Sequence, residues 1–144
     1  MSSLTVSYLD GDRFAVSVRE HTITVDQPRA DGGADTAPTP TELLVASLAA
    51  CVAFEARRYL ARHQLPTTGL TVTAVYTLGS HPTRVKNIRI DIQLPDGVAS
   101  TYLDALLAVT SRCSVHNTLA DAPAVTVALA GSAGPSASRS ARSQ

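Results

Sequence analysis

The chain has 144 residues, a length that fits one domain, and 44% of them are hydrophobic, enough to bury a core. Twelve basic and twelve acidic residues cancel to a formal charge of zero, so bulk electrostatics give no case for nucleic acid or an anionic membrane as partner. Aromatic side chains are only 4% of the total, so alanine and valine must fill much of the interior.

Leu4 to Leu9, Arg13 to Val18 and His21 to Val25 are short alternating segments, and Asp10-Gly11-Asp12 between the first two is a hairpin signal. Gln27 to Pro38 carries Pro28, Gly32, Gly33 and Pro38 and is long for a connection, which predicts a loop that packs over or gates something. Gly32-Gly33 is a turn and not a phosphate loop, since no basic strand-loop-helix motif follows it. Thr39, Pro40 and Glu42 form a helix start with a capping box. The run behind them, Leu43 to Phe54, is apolar on every side, which predicts a buried central helix. Its basic end at Arg57, Arg58, Arg62 and His63 suits the negative pole of the helix dipole, and Pro66 stops it.

Two strands are expected at Gly69 to Leu78 and Arg84 to Leu94, from alternation such as Ile88, Ile90, Ile92 and Leu94. Ala99 to Arg112 has helical spacing at Leu103, Leu106, Leu107 and Thr110, and Cys113 continues that stripe. A short helix from Ser114 to Asp121 and a last strand from Pro123 to Leu129 complete a domain over 1–130. Residues 131–144 are Ser, Ala, Gly and Arg without apolar pattern and are expected to be a disordered tail.

The start of the chain lacks the basic region and apolar stretch of a secretory leader, and Leu43 to Phe54 is too short to span a bilayer. The expected compartment is therefore the cytoplasm. Structural disulfides are rare there, so Cys51 and Cys113 read as free or redox-active thiols. Both fall on apolar helical stretches that the fold could bring together. A metal site of Cys51, Cys113 and His116 would need more ligands at tighter spacing, and no cofactor motif is present. Glu55 and Arg58 share the Cys51 face and are expected to pair within the helix.

Several segments in this order resemble the OsmC/Ohr superfamily, the osmotically inducible and organic hydroperoxide resistance proteins. They are Val25-Asp26-Gln27-Pro28, Gly32-Gly33, Ala37 to Leu44, Ala49-Ala50-Cys51 and Cys113 to Leu119. The resemblance covers Leu4 to Leu129. It implies an α+β fold with antiparallel sheets around a long central helix, assembled as an intertwined homodimer. It also implies a thiol peroxidase in oxidative stress defence, acting on organic hydroperoxides or hydrogen peroxide and recycled by a cellular dithiol. By the match, Cys51 is the peroxidatic thiol and Cys113 the resolving one. An arginine from the early strands serves the reactive thiolate, and Arg19 is the candidate, with Arg13 and Arg29 behind it.

Glu42 is the carboxylate offered near the start of the helix. The resemblance has a glutamate ten residues before the reactive cysteine, where this chain has Thr41. Glu42 lies nine residues before Cys51, two and a half turns away and on the opposite face, and it serves equally as a cap. Ser114 stands where the second motif usually has proline, which places the chain closer to the OsmC-like branch than to the dedicated hydroperoxide enzymes. A redox sensor, or a binder of small apolar ligands on the same scaffold, is the alternative. Repeated turnover of peroxide separates these from an enzyme.

Overall fold

Two antiparallel sheets and one long helix carry the fold of this computed structural model, which describes residues 1–131. The first sheet holds β1 (Thr5–Asp10), β2 (Arg13–Val18) and β3 (His21–Val25) in that order. Gly11, at φ +49°, makes the first turn as its sequence signal requires. The second turn has two residues, Arg19 and Glu20, because Val18 pairs directly with His21. Arg19 thus sits in a turn at φ +52°, not on a strand.

Helix α1 (Pro40–Arg62) begins with the expected box: the Glu42 N–H donates to Thr39 Oγ1 at 3.1 Å, and the Thr39 N–H to the Glu42 carboxylate at 2.8 Å. Strands β4 (Thr71–Gly79) and β5 (Arg84–Gln93) form the second sheet. A 3-10 turn at Ser100–Tyr102 leads into α2 (Leu103–Thr110), and α3 (Ser114–Ala120) follows. Helix α1 packs on α2, α3, β4 and β5. One cluster of this core joins Leu48, Val52 and Cys113 to Val72, Ile88, Ile90 and Ile92. A second joins Tyr59, Leu60 and Leu106 to Leu94, Tyr102 and Val109.

Three expectations are corrected here. Helix α1 is not buried all round: Val45, Leu48, Val52, Ala56, Tyr59 and Leu60 form one covered stripe, while Leu44 and Phe54 are exposed. Pro123 to Leu129 is not a strand and joins neither sheet. Its Val125 and Val127 are 74% and 72% exposed, because alternation makes a strand only where an edge is offered to it. Cys113 does not extend the α2 stripe: α2 ends at Thr110, and the cysteine is the N-cap of α3.

The loop from Gln27 to Pro38 is held from within. Asp26, 1% exposed, holds it by accepting from the N–H groups of Gln27 (2.7 Å), Ala34 (3.5 Å) and Thr36 (3.0 Å), and from the Thr36 hydroxyl (2.7 Å). These bonds keep the Asp26 carboxyl at about 2, below its ordinary 3.8. Gly33 lies so close to the Gln27 carbonyl that a Cβ would overlap it. The loop is therefore a clip that delivers the chain to Thr39 at a fixed place. Of the tail expected at 131–144, all but Gly131 lies outside the described residues.

Candidate functional site

Cys51 and Cys113 meet between α1 and α3. Cys51 is placed by α1, one residue before the buried Val52, and is partly exposed. Cys113 is 1% exposed. Its sulfur accepts from the His116 N–H at 3.4 Å, so it caps α3 in the way serine or aspartate usually does. Extended φ/ψ at Cys113 (−68°, 157°) aim the first N–H groups of α3 back toward α1. The Ser114 hydroxyl lies 3.7 Å from Cys51 Sγ. Neither thiol is in a disulfide.

The two sulfurs titrate in opposite directions. Burial pushes the Cys51 thiol up. The Val115 N–H, the Cys113 thiol and the hydroxyl and N–H of Ser114 more than offset this, and the group ends below the ordinary thiol value. Burial pushes Cys113 up as well, and the neighbouring Cys51 adds to it, while the His116 N–H recovers only part. The proton therefore leaves Cys51 first and stays on Cys113. The geometry makes Cys51 the thiol that ionises more readily, with the more proton-retaining Cys113 beside it.

The other expected residues are elsewhere. Glu42 is held by the capping box at the far end of the apolar run and does not meet Cys51. Arg19 is exposed at the β2–β3 turn, with no hydrogen bond or ion pair among the described residues. Arg13 pairs with Asp10 at 2.9 Å. Arg29 is exposed in the 3-10 turn Arg29–Asp31. Glu55 pairs with Arg58 at 3.8 Å, as the helical spacing suggests. Sequence reasoning missed the donors that do reach Cys51, Ser114 and Val115. The signal available was Cys113 immediately before a helical pattern, the position a cap occupies.

Beside the thiols lies a cavity of about 200 Å³ bounded by Leu48, Val52, Ile88, Ile90, Ile92 and Leu107, with Thr110, Ser111 and His116 at its polar side. Cys51 does not line it, but Leu48 and Val52, which flank Cys51 on α1, do. Among the described residues, no group of three His, Cys, Asp or Glu side chains is placed to hold a metal ion.

The OsmC-like protein family model matches residues 32–128, which include both cysteines and most of the helical core. The chain belongs to that family. Its fold is similar to that of several solved family members. A protein provisionally named an osmotic stress induced and detoxification response protein, from Psychrobacter arcticus 273-4, aligns with a TM-score of 0.76 at 22% identity, over 82% of this chain and 88% of the other. An OsmC-like protein from Mycoplasma pneumoniae gives 0.72 at 18% identity, over 85% and 89%. An organic hydroperoxide resistance protein from Elizabethkingia anophelis, with thiocyanate bound, gives 0.63 at 19% identity, over 85% and 91%. No curated protein matches by sequence. These likenesses establish the α+β OsmC-like fold of the chain.

Proposed function

We propose that this OsmC-like protein is a thiol-dependent peroxidase with a role in oxidative stress defence. The observation that carries the reading is the meeting of the partly exposed Cys51 with the buried Cys113, the first thiol drawn below its ordinary value and the second pushed above it. Family membership and the hydroperoxide resistance names of structural neighbours support a peroxide-related redox role. The Cys51 thiolate attacks one peroxide oxygen, the O–O bond breaks, and the leaving alkoxide or hydroxide takes a proton to become alcohol or water. Cys51 is left as a sulfenic acid. Cys113 then attacks the Cys51 sulfur. Its proton and the sulfenic hydroxyl depart as water, and a Cys51–Cys113 disulfide remains. A cellular dithiol reduces that disulfide and is itself oxidised.

The apolar cavity beside Leu48 and Val52 favours an organic hydroperoxide over hydrogen peroxide, since its walls offer burial to an alkyl group. The working form in this reading is a homodimer. The three-stranded sheet makes at most marginal contact with the rest of its own chain and exposes Val6, Tyr8, Phe14 and Ile23. Arg19, at the end of that sheet, enters the mechanism only if a second copy brings it to Cys51. Two free thiols suit a reducing compartment such as the cytoplasm, and no helix among the described residues is long and apolar enough to cross a membrane. The same cavity favours a second reading, a non-catalytic sensor or carrier of a small apolar ligand.

Peroxide consumption measured with several dithiol reductants tests the proposal. Repeated turnover that Cys51→Ser abolishes is expected. Oxidation that stops after one equivalent per chain favours the sensor, and two thiols still alkylatable after excess peroxide refute both the peroxidase and the redox sensor.

A further inference from the structure

We infer that Ser114 is the positioning residue for Cys51: its hydroxyl donates a hydrogen bond to the Cys51 sulfur and fixes it beside Cys113. The inference rests on Cys51 being the reactive thiol, not on peroxide being its substrate. A thiol drawn into apolar surroundings stays protonated unless something favours its anion, and cations or carboxylate-held arginines are the strong means. None is found at Cys51 among the described residues. Glu55 turns to Arg58, Glu42 to the cap, and Arg13 to Asp10. The side chains that reach the sulfur are neutral, those of Ser114 and Cys113.

Of these two, Ser114 is the better donor, because a hydroxyl is stronger in that role than a thiol. Its oxygen is 3.7 Å from Cys51 Sγ, across 63 residues of sequence, and it makes no other hydrogen bond among the described residues. The hydroxyl is thus not spent on the backbone, in contrast to Ser111 and Thr110, which both return theirs to the Leu107 carbonyl. Its place is set by the cap at Cys113 and by the Thr118 hydroxyl, which donates to the Ser114 carbonyl at 2.8 Å. When Cys51 ionises it can only accept, so the hydroxyl proton must point at the sulfur. Ser114 keeps that proton throughout; it lowers the energy of the thiolate and does not itself react.

The test is the pH profile of Cys51 alkylation in the full chain, read by mass spectrometry of the Cys51 peptide after brief exposure to iodoacetamide. Ser114→Ala is expected to move the profile to higher pH and to slow alkylation at neutral pH about tenfold or more, the effect of one hydrogen bond to an anion. Ser114→Thr, which keeps the hydroxyl, is expected to restore the rate to within about twofold. A merely structural role would not move the profile and would not require the hydroxyl. Superposition of the Ser114→Ala and wild-type profiles overturns the inference, as does a folded Ser114→Thr as slow as Ser114→Ala. Peroxide turnover is measured on the same samples. A wild type that consumes no peroxide refutes the peroxidase while the alkylation profiles still decide Ser114.

Discussion

Cys113 holds two positions at once, and substitutions there separate them. Its sulfur caps α3 through the His116 N–H, and its thiol, packed beside Cys51, helps draw the Cys51 thiol below its ordinary value. Serine at this position keeps both an acceptor and a donor and is a stronger cap than cysteine, though it brings a hydroxyl into the cluster of Leu48, Val52 and Ile90. The gain and the cost are each about 1 kcal/mol, so Cys113→Ser is expected within about 1 kcal/mol of wild type. Alanine loses the cap and leaves a small void in a site that is 1% exposed. Cys113→Ala is therefore expected to lose about 1–2 kcal/mol, or about 0.5–1 M in the urea midpoint.

The chemistry follows the same division. With serine, Cys51 keeps its donor and the first oxidation by peroxide proceeds at about the wild-type rate. No disulfide can form, so the sulfenic acid persists, is trapped by dimedone as an adduct on the Cys51 peptide, and overoxidises with excess peroxide. With alanine, a donor to the thiolate is gone and the first oxidation slows by about threefold to tenfold at neutral pH. Stopped-flow peroxide loss and urea unfolding of both variants check this. Equal rates and equal midpoints for serine and alanine would refute the account of Cys113 as cap and donor. A Cys113→Ser protein that forms no dimedone adduct would refute Cys51 as the peroxidatic thiol.

Asp26 has a carboxyl at about 2 in the fold against an ordinary 3.8, so the folded state favours its ionised form. Its stabilisation is complete above the ordinary value and is lost as pH falls from about 4 to about 2, and Asp26→Asn should flatten that part of an acid-unfolding curve. Gly33→Ala would drive a Cβ into the Gln27 carbonyl and should cost about 2 kcal/mol or more by thermal unfolding, whereas at Gly11, where the space is open, alanine meets only the left-handed backbone and should cost about 1 kcal/mol. Light scattering should give twice the 15.0 kDa chain mass, and Phe54→Arg, on the uncovered face of α1, should lower that mass toward one chain; a stable wild-type monomer would refute the dimer.

Local chemistry was readable from the chain wherever a few neighbouring residues decide the outcome. Asp10-Gly11-Asp12 makes its hairpin, Thr39-Pro40-Thr41-Glu42 makes its capping box, and alternation at Ile88, Ile90 and Ile92 makes β5. The encounter of Cys51 with Cys113 was legible through the resemblance and not through the stripe, since Cys113 caps α3 instead of continuing α2. The donors were not legible. Whether Ser114 faces solvent or Cys51 depends on the turn between α2 and α3, which ends α2 at Thr110 and makes Cys113 a cap. Arg19 shows the same limit from the other side: one residue beyond the end of β2, it points with the turn and not with the strand.

The remaining mismatches share one physical cause. The outer face of α1 with Leu44 and Phe54, the first sheet with Val6, Tyr8 and Phe14, and the alternating Val125 and Val127 are all apolar patterns without cover in one chain. Each pattern is one whose composition suits burial, yet these residues stay exposed in the single chain. Scattered exposed apolar residues are ordinary on a monomer; three separate elements patterned for burial and left open are not. A second copy could cover all three at once, giving the helix a second packing face and the last segment an edge to join. Cys51 lies on the same helix as the uncovered Leu44 and Phe54, so the environment of the reactive sulfur, and any part Arg19 has in it, would be completed only on assembly. If so, dilution below the dissociation constant should lower peroxide turnover per chain while leaving far-ultraviolet circular dichroism of the helices largely in place. Turnover per chain that is independent of concentration across the monomer–dimer transition would show that one copy builds the whole site.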